Sequence, residues 1–231
     1  MPSDNVSVVL AHGAWADGSS WAKVIGQLAV EGFAVVAAPL PLTSFQDDVE
    51  ALHRTIERVT GPVVLVGHAY AGAVIAATRD AKVKALVYVA ALAPDEGETV
   101  ADVFYRVAPH PQAPNLAPDN HGRIYLPREA FAAAFAQNAS IEEQAVLAAV
   151  QRPIKPACIT EAVNRPLWKD LPSWFVVAEQ DRMIPQDSQR FMAKRMKARM
   201  HAYPIDHTPM VTAPSIVLET IREAIDHIAP G

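Results

Sequence analysis

Short valine-rich apolar runs, separated by longer amphipathic segments, constrain the fold of this chain more than any other feature. Their residues do not alternate with polar ones, which is typical of strands buried on both faces of a parallel sheet. Five runs are clear and a sixth is weaker, at 6–11, 33–38, 63–66, 85–91, 174–178 and about 200–204. Strands that alternate with helical segments predict an open α/β sheet, mostly parallel and flanked by helices.

The intervening helices are predicted from apolar residues that recur at helical spacing. The two clearest sets are Val49, Leu52, Ile56 and Val59, and Leu218, Ile221, Ile225 and Ile228. Each set forms one apolar stripe that can pack on the sheet.

Composition limits the class of protein. The 231 residues are 51% hydrophobic and 19% charged, which is enough apolar material for the core of one large domain. The net charge of −5 and the absence of a basic run argue against a nucleic-acid partner. The single cysteine, Cys158, has no partner for an internal disulfide. No basic leader or long apolar segment is evident, so we expect a cytoplasmic protein without a membrane partner.

One region interrupts the alternation of strands and helices. Residues 95–168 contain no strand-like run, and proline is dense between 109 and 118. Two helices are predicted here, one over about 128–136 and one that opens with the S-x-x-E capping box of Ser140 and ends near Pro153. We predict a helical cap, or lid, at 95–168, inserted after the strand that ends near Ala91. The core then comprises 1–94 and 169–231.

A tight glycine-flanked turn follows the third run. The segment 67–72 reads G-H-A-Y-A-G, with a strand before it and small helical residues after it. This is the context of a nucleophile elbow, G-x-S-x-G, in which a serine lies at the apex of the turn. Here the apex is Ala69, which has no nucleophilic atom. By itself the segment also fits an ordinary strand–turn–helix, so the interpretation depends on the rest of the chain.

Two further residues follow in the order that acyl transfer by a serine requires. Asp181 comes just after the fifth run and can orient a histidine. His207 follows the last run and can act as the base. All three positions lie at strand ends and can converge on one edge of the sheet. Asp95, just after the fourth run, is a rival orienting acid, whereas Asp206 is poorly placed to bond the ring of its neighbour; we favour Asp181.

The oxyanion of such a reaction needs backbone donors. Tyr70 follows the nucleophile position at a helix N-terminus, so its N–H is one candidate. The loop after the first strand supplies the second, because Gly13 permits close backbone approach and leaves the Ala14 N–H as the best choice. Trp15 is the remaining candidate substrate-binding residue of this loop. We interpret His12 and His68 as structural residues that shape these loops.

The opening loop and the elbow together resemble a known family. Residues 12–21 match H-G-A-x-x-x-G-x-x-W without a gap, and bacterial esterase-like relatives pair a similar opening with G-H-S-Y-[AG]-G. The chain is similar to α/β hydrolases of the small-cap branch that includes plant methyl esterases and hydroxynitrile lyases. The resemblance implies a hydrolase with a Ser-His-Asp triad. The lyases of that branch carry Thr at the position of Gly13 and Lys at that of Thr208, so hydrolysis is favoured here.

Three accounts of Ala69 remain open. It is an engineered replacement of serine, or the chain is a natural non-catalytic small-molecule binding protein, or the missing residue was an aspartate as in dehalogenases and epoxide hydrolases. We favour the first, since Asp181 and His207 are both retained.

The substrate is predicted only as a small or medium apolar ester or lactone, and the oligomeric state stays open. Aromatic residues are candidates to line an apolar pocket, although each is also suited to core packing: Trp15, Phe104, Tyr105, Phe131, Phe135 and Trp168. Cys158 is interpreted as a buried, inert thiol. No metal-ligand cluster, phosphate loop or dinucleotide motif is evident, so no cofactor and no metal are expected.

Overall fold

Six parallel strands form one sheet in the computed structural model, which describes residues 6–229. Along the sheet the strands follow the order β2-β1-β3-β4-β5-β6, and each neighbouring pair is parallel. Their bounds are β1 Ser7–Ala11, β2 Ala34–Ala38, β3 Val63–His68, β4 Val83–Val89, β5 Ser173–Ala178 and β6 Arg199–Tyr203. The predicted α/β sheet is confirmed.

Ten α-helices connect the strands or follow the last one in the described part of the chain. They are α1 Ala22–Val30, α2 Phe45–Glu57, α3 Ala71–Ala77, α4 Val100–Phe104, α5 Arg128–Ala130, α6 Ile141–Val150, α7 Ala157–Thr160, α8 Gln186–Arg195, α9 Pro209–Thr212 and α10 Pro214–Ile228. None of the helices described is long and apolar enough to cross a membrane. The predicted apolar stripes lie on α2 and α10, except that Val59 follows the end of α2.

Burial of the strands follows their place in the sheet. The residues of β1, β3 and β5 are all buried, as the unbroken apolar runs predict. The expectation is wrong for the edge strands, since β2 begins at an exposed Ala34 and β6 has no buried residue.

The fourth apolar run, predicted as a strand over 85–91, continues beyond the end of β4 at Val89. Ala90 has a φ of +44°, and this left-handed residue ends β4 where the chain turns away.

The region from 95 to 168 contains α4 to α7 and isolated bridges, Thr99 with Ala162 and Ile124 with Ile154. The helix predicted over 128–136 is a short α5 that continues as a π-helical turn, Phe131–Phe135. The capping box of Ser140 and Glu143 opens α6, which ends before 153. The division into core and cap stays a prediction.

The topology brings several loops to one edge of the sheet. Because all strands are parallel, the residues that follow β1, β3, β5 and β6 meet at their carboxyl ends. The chain runs from β1 outward to β2 and then returns to β3 on the other side of β1. This reversal is the place where open α/β sheets leave a crevice for a ligand.

Gly72 allows α3 to pack closely against the segment that leaves β4. A Cβ atom added at Gly72 would overlap the carbonyl oxygen of Leu92 and lie 2.9 Å from the Cβ of Ala91. Backbone cannot yield as a flexible side chain does, so the helix and the turn before it need glycine here. Gly26, in the exposed middle of α1, offers the opposite case, because an added Cβ meets no atom within 4 Å.

We expect Gly72→Ala to lower the free energy of unfolding by about 1–3 kcal/mol through overpacking. The matched control Gly26→Ala should raise it by up to about 1 kcal/mol, because alanine favours the helix. Urea denaturation of the three proteins measures both values. Equal effects of the two substitutions would contradict the close packing at Gly72.

Candidate active site

A strained turn joins β3 to α3 at the base of the crevice. Ala69 at its apex has a φ of +48°, a left-handed conformation that is uncommon for residues with a side chain. The backbone is held from both sides: the Ala69 N–H donates to the Val89 carbonyl at 3.2 Å, and the Ala69 carbonyl accepts from the N–H of Leu92 at 2.9 Å and of Gly72 at 3.1 Å. Such conformations persist when the surrounding structure fixes them, and they cluster at functional sites.

His207 and Asp181 form a buried hydrogen-bonded pair beside this turn. His207 Nδ1 lies 2.7 Å from Asp181 Oδ2, and both side chains are almost fully buried. The same Asp181 oxygen accepts from Gln189 Nε2, and the other accepts from the N–H groups of Met183 and Ile184. Four donors therefore surround the carboxylate, which stabilises its charge in the interior.

This pairing determines the tautomer of His207. The ionised carboxylate only accepts hydrogen bonds, so Nδ1 of the imidazole carries the proton. The free electron pair is then on Nε2, and the His207 side chain lines the same pocket as Ala69. An imidazole in this state can take a proton from a group in the pocket.

Two other histidines support the site without facing the pocket. His68 Nε2 donates to the His207 carbonyl oxygen at 2.7 Å, and complete burial holds the pKa of His68 well below its usual range. His12 Nδ1 donates to the Gly13 carbonyl oxygen, and burial lowers the pKa of His12 to about 4. Both rings are neutral near pH 7, so they hold loops and add no positive charge.

The two candidate oxyanion donors lie on the pocket wall. Ala14 and Tyr70 both line the pocket, and within residues 6–229 neither N–H makes a backbone or side-chain hydrogen bond. Gly13 brings its loop close to the elbow, because an added Cβ would lie 2.9 Å from the Ala69 Cβ. The Trp15 N–H is occupied by the Arg152 carbonyl at 3.1 Å.

The other acidic candidates have different partners. Asp95 lies 2.5 Å from Lys169 Nζ in a partly exposed ion pair. Asp206 is fully buried and accepts from Thr212 Oγ1 at 2.6 Å and from the Asn138 N–H at 3.0 Å. Neither carboxylate is hydrogen-bonded to the imidazole of His207.

An apolar pocket of about 590 Å³, including its mouth, opens above the elbow. None of its lining residues is Asp, Glu, Lys or Arg. The lining comprises Ala14, Trp15, Ala69, Tyr70, Leu92, Val100, Phe104, Tyr105, Leu116, Ile124, Ile154, Ile159, Met183, Ile184 and His207. A neutral apolar ligand with one polar group near His207 fits such a lining.

The aromatic candidates divide into two groups. Trp15, Phe104 and Tyr105 line the pocket, whereas Phe131, Phe135 and Trp168 do not. Phe135 lies behind the site, with its ring centroid 5.3 Å from that of His207. The aliphatic lining residues could not be recognised in the sequence because they resemble core residues.

Within the described range, no three His, Cys, Asp or Glu side chains are grouped as metal ligands would be.

Comparison with known proteins identifies the family. The model of the alpha/beta hydrolase family matches residues 8–220. The chain belongs to the α/β-hydrolase family. No curated protein sequence matches it.

Solved structures of other α/β hydrolases share this fold at low sequence identity. Polyneuridine aldehyde esterase is 18% identical, with a TM-score of 0.81 and coverage of 95% of this chain and 98% of that chain. A pyrethroid hydrolase from Sphingobium faniae JZ-2 is 20% identical, with a TM-score of 0.79 and coverage of 97% and 99%. Tomato methylketone synthase I, as an H243A variant complexed with beta-ketoheptanoate, is 17% identical, with a TM-score of 0.82 and coverage of 96% and 98%.

Proposed function

We propose that this site is that of a serine-type carboxylic ester hydrolase in which Ala69 stands at the nucleophile position. The observation that carries the proposal is the buried 2.7 Å hydrogen bond between His207 and Asp181, beside a strained turn whose apex faces the same pocket. An orienting acid, a base and an apex residue are the parts that acyl transfer needs, and only the attacking oxygen is lacking.

The proposed mechanism applies to the Ala69→Ser form. The serine Oγ attacks the ester carbonyl carbon while His207 Nε2 takes its proton. Asp181 holds the imidazole and stabilises its positive charge, and the N–H groups of Ala14 and Tyr70 stabilise the oxyanion. His207 then protonates the departing alkoxide. Water, activated by the same imidazole, releases the acid from the acyl-enzyme.

The substrate class follows from the pocket. Its walls carry no charged carboxylate, ammonium or guanidinium group, so an ionised substrate would lose its hydration without gaining a partner. We propose a small or medium apolar ester or lactone. Polyneuridine aldehyde esterase and the pyrethroid hydrolase, both of this fold, are named for ester cleavage or hydrolysis, in agreement with this choice.

We expect Ala69→Ser to hydrolyse p-nitrophenyl esters of short and medium chains, with kcat on the order of 10⁶-fold above that of the parent, because the covalent step is restored. In that background Asp181→Asn should lower kcat by roughly 10⁴-fold, as the imidazole would adopt the wrong tautomer. Asp95→Asn is the matched control and should stay within about twofold, because its ion pair with Lys169 is partly exposed.

Steady-state release of p-nitrophenol measures these three rates. A folded Ala69→Ser protein without esterase activity would contradict the proposal. Halide release or epoxide opening by Ala69→Asp would instead favour a carboxylate nucleophile. Tight binding of a non-ester metabolite by an inert Ala69→Ser form would favour a binding protein.

A second candidate function needs no nucleophile. Loss of CO₂ from a β-keto carboxylate leaves an enolate, which the oxyanion donors stabilise. The His207 imidazole, after taking up a proton from water at Nε2, can pass that proton to the enolate carbon and give the ketone. An apolar pocket also favours the loss, since it solvates a carboxylate poorly. This candidate is favoured because Ala69 leaves the chain without a nucleophile while the His207–Asp181 hydrogen bond is kept. The methylketone synthase of the same fold was solved with a β-keto acid.

If this second candidate is correct, the chain with Ala69 converts medium-chain β-keto acids to methyl ketones well above the spontaneous rate. His207→Ala should return the rate to that background, because the proton donor is removed. Gas chromatography of the ketone measures both. A rate equal to the spontaneous one in the folded parent protein would exclude decarboxylation.

A further inference from the structure

A buried carboxylate that is not part of the pocket lining is hydrogen-bonded to the residue after the apex of the elbow. Asp48, in the first turn of α2, is fully buried. Its Oδ2 accepts a hydrogen bond from the Tyr70 hydroxyl at 2.7 Å, and its Oδ1 accepts one from the Leu42 N–H at 2.7 Å. The carboxylate therefore joins the turn after β3 to the loop after β2.

Stability alone does not account for a carboxylate at this place. Desolvation raises the pKa of Asp48 to about 6, so the group is charged at neutral pH at a cost to the folded state. That cost is offset only through the hydrogen bonds from the Tyr70 hydroxyl and the Leu42 N–H, which would be left without an acceptor if an apolar residue stood here. The presence of the carboxylate is therefore explained by the two groups that it holds, the Tyr70 hydroxyl and the Leu42 N–H.

Tyr70 is the residue through which Asp48 reaches the pocket. It directly follows Ala69 and precedes α3, and its own N–H lies on the pocket wall. The Ala69 backbone is fixed on the β4 side by its hydrogen bonds with Val89 and Leu92. The Tyr70 side chain fixes the opposite side of the same turn, and Asp48 is its hydrogen-bond partner.

The same carboxylate also connects to the segment that forms one wall of the pocket. Leu42 has a φ of +58°, and its carbonyl accepts from the Lys155 N–H at 3.0 Å. Ile154, next to that contact, and Ile159, within α7, line the pocket. The Cys158 thiol, also buried, lies against Asp48 and Tyr70 and is held in its neutral form, since burial raises the pKa of Cys158 to about 12.

We propose that Asp48 is a positioning residue, which holds the nucleophile turn and the Tyr70 N–H in place through the Tyr70 hydroxyl. This inference rests on the proposed function where it concerns catalysis, whereas the restraint on the turn is a property of the chain as it stands. Asp48 touches no reacting atom; it acts through Tyr70.

Three variants separate the contributions of the pair. Tyr70→Phe removes only the hydroxyl. Asp48→Ala removes both hydrogen bonds. Asp48→Asn is the conservative variant, because its amide oxygen can accept from the Leu42 N–H while its NH₂ donates to the Tyr70 hydroxyl oxygen. Thr55→Val is the matched control on the same helix, since the buried Thr55 hydroxyl donates only to the Ala51 carbonyl.

Hydrogen exchange in the Ala69 chain tests the restraint without any activity. The amides of Ala69 and Leu92 report on the turn, because they donate to Val89 and to Ala69 respectively. We expect Tyr70→Phe to speed their exchange by about tenfold or more, with Asp48→Asn near the parent, while the Leu86 amide in β4 is unchanged. Elbow amides that exchange at the parent rate in Tyr70→Phe would overturn the proposal.

Kinetics in the Ala69→Ser background test the consequence for the reaction. Tyr70→Phe and Asp48→Ala should each lower kcat by about tenfold with KM within about threefold, since a misplaced donor acts on the transition state. The double variant should be no worse than the poorer single one, Asp48→Asn should restore kcat, and Thr55→Val should leave it unchanged.

The two experiments also distinguish the two proposals. An active Ala69→Ser form whose kcat is unaffected by Tyr70→Phe overturns the positioning role. A folded but inactive Ala69→Ser form contradicts the esterase proposal, and the exchange rates then decide the inference about Asp48.

Discussion

The left-handed turn at Ala69 is the constraint on which the rest of the site depends. It joins the end of a buried strand to the start of a helix through two residues, Ala69 and Tyr70, and places the apex residue on the pocket wall. Glycine at 72 allows the helix to approach the next strand, and glycine at 13 allows the neighbouring loop to approach the apex. Alanine in this conformation is strained, and a protein that needed only a turn here would be more stable with glycine. Under the proposed function, the turn directs the side chain of residue 69 into the pocket.

The ionisable groups buried around this turn are either hydrogen-bonded to a partner that stabilises their charge or held neutral by burial. Asp181 has four hydrogen-bond donors, His207 uses one nitrogen for that carboxylate, and His12 and His68 are held neutral by burial. The result is that His207, with a free electron pair on Nε2, is the one imidazole among these three histidines that lines the apolar pocket. Asp48 is a further buried carboxylate, and we propose that it holds the backbone of the turn through its hydrogen bond with Tyr70.

The architecture could be predicted from the sequence because each inner strand contains an unbroken apolar run and the two longest helices, α2 and α10, each carry one apolar stripe. The errors lie where the place of an element in the fold overrides the sequence pattern. β2 and β6 are only partly buried because they are edge strands, and the helix predicted over 128–136 changes to a π-helical turn at Phe131.

The site was predictable only in part. Strand ends in a parallel sheet share one edge, so Ala69, Asp181 and His207 were expected to approach one another, and the structure places them together. Their catalytic roles stay predictions. Asp48 was missed because an acid in the first turn of a helix resembles a solvated cap. The signal was its spacing, since Asp48 shares one helical face with the apolar residues Phe45, Leu52 and Ile56.

The most direct test of the central claim, that the apex of this turn is a nucleophile position served by His207, is covalent labelling. The Ala69→Ser protein is treated with a fluorophosphonate, and intact and peptide mass spectrometry locate the adduct. We expect one adduct at position 69, none in the parent chain, and none when His207→Ala is added to the Ala69→Ser protein. A folded Ala69→Ser protein that gains no adduct at position 69, or gains it equally without His207, would contradict the account.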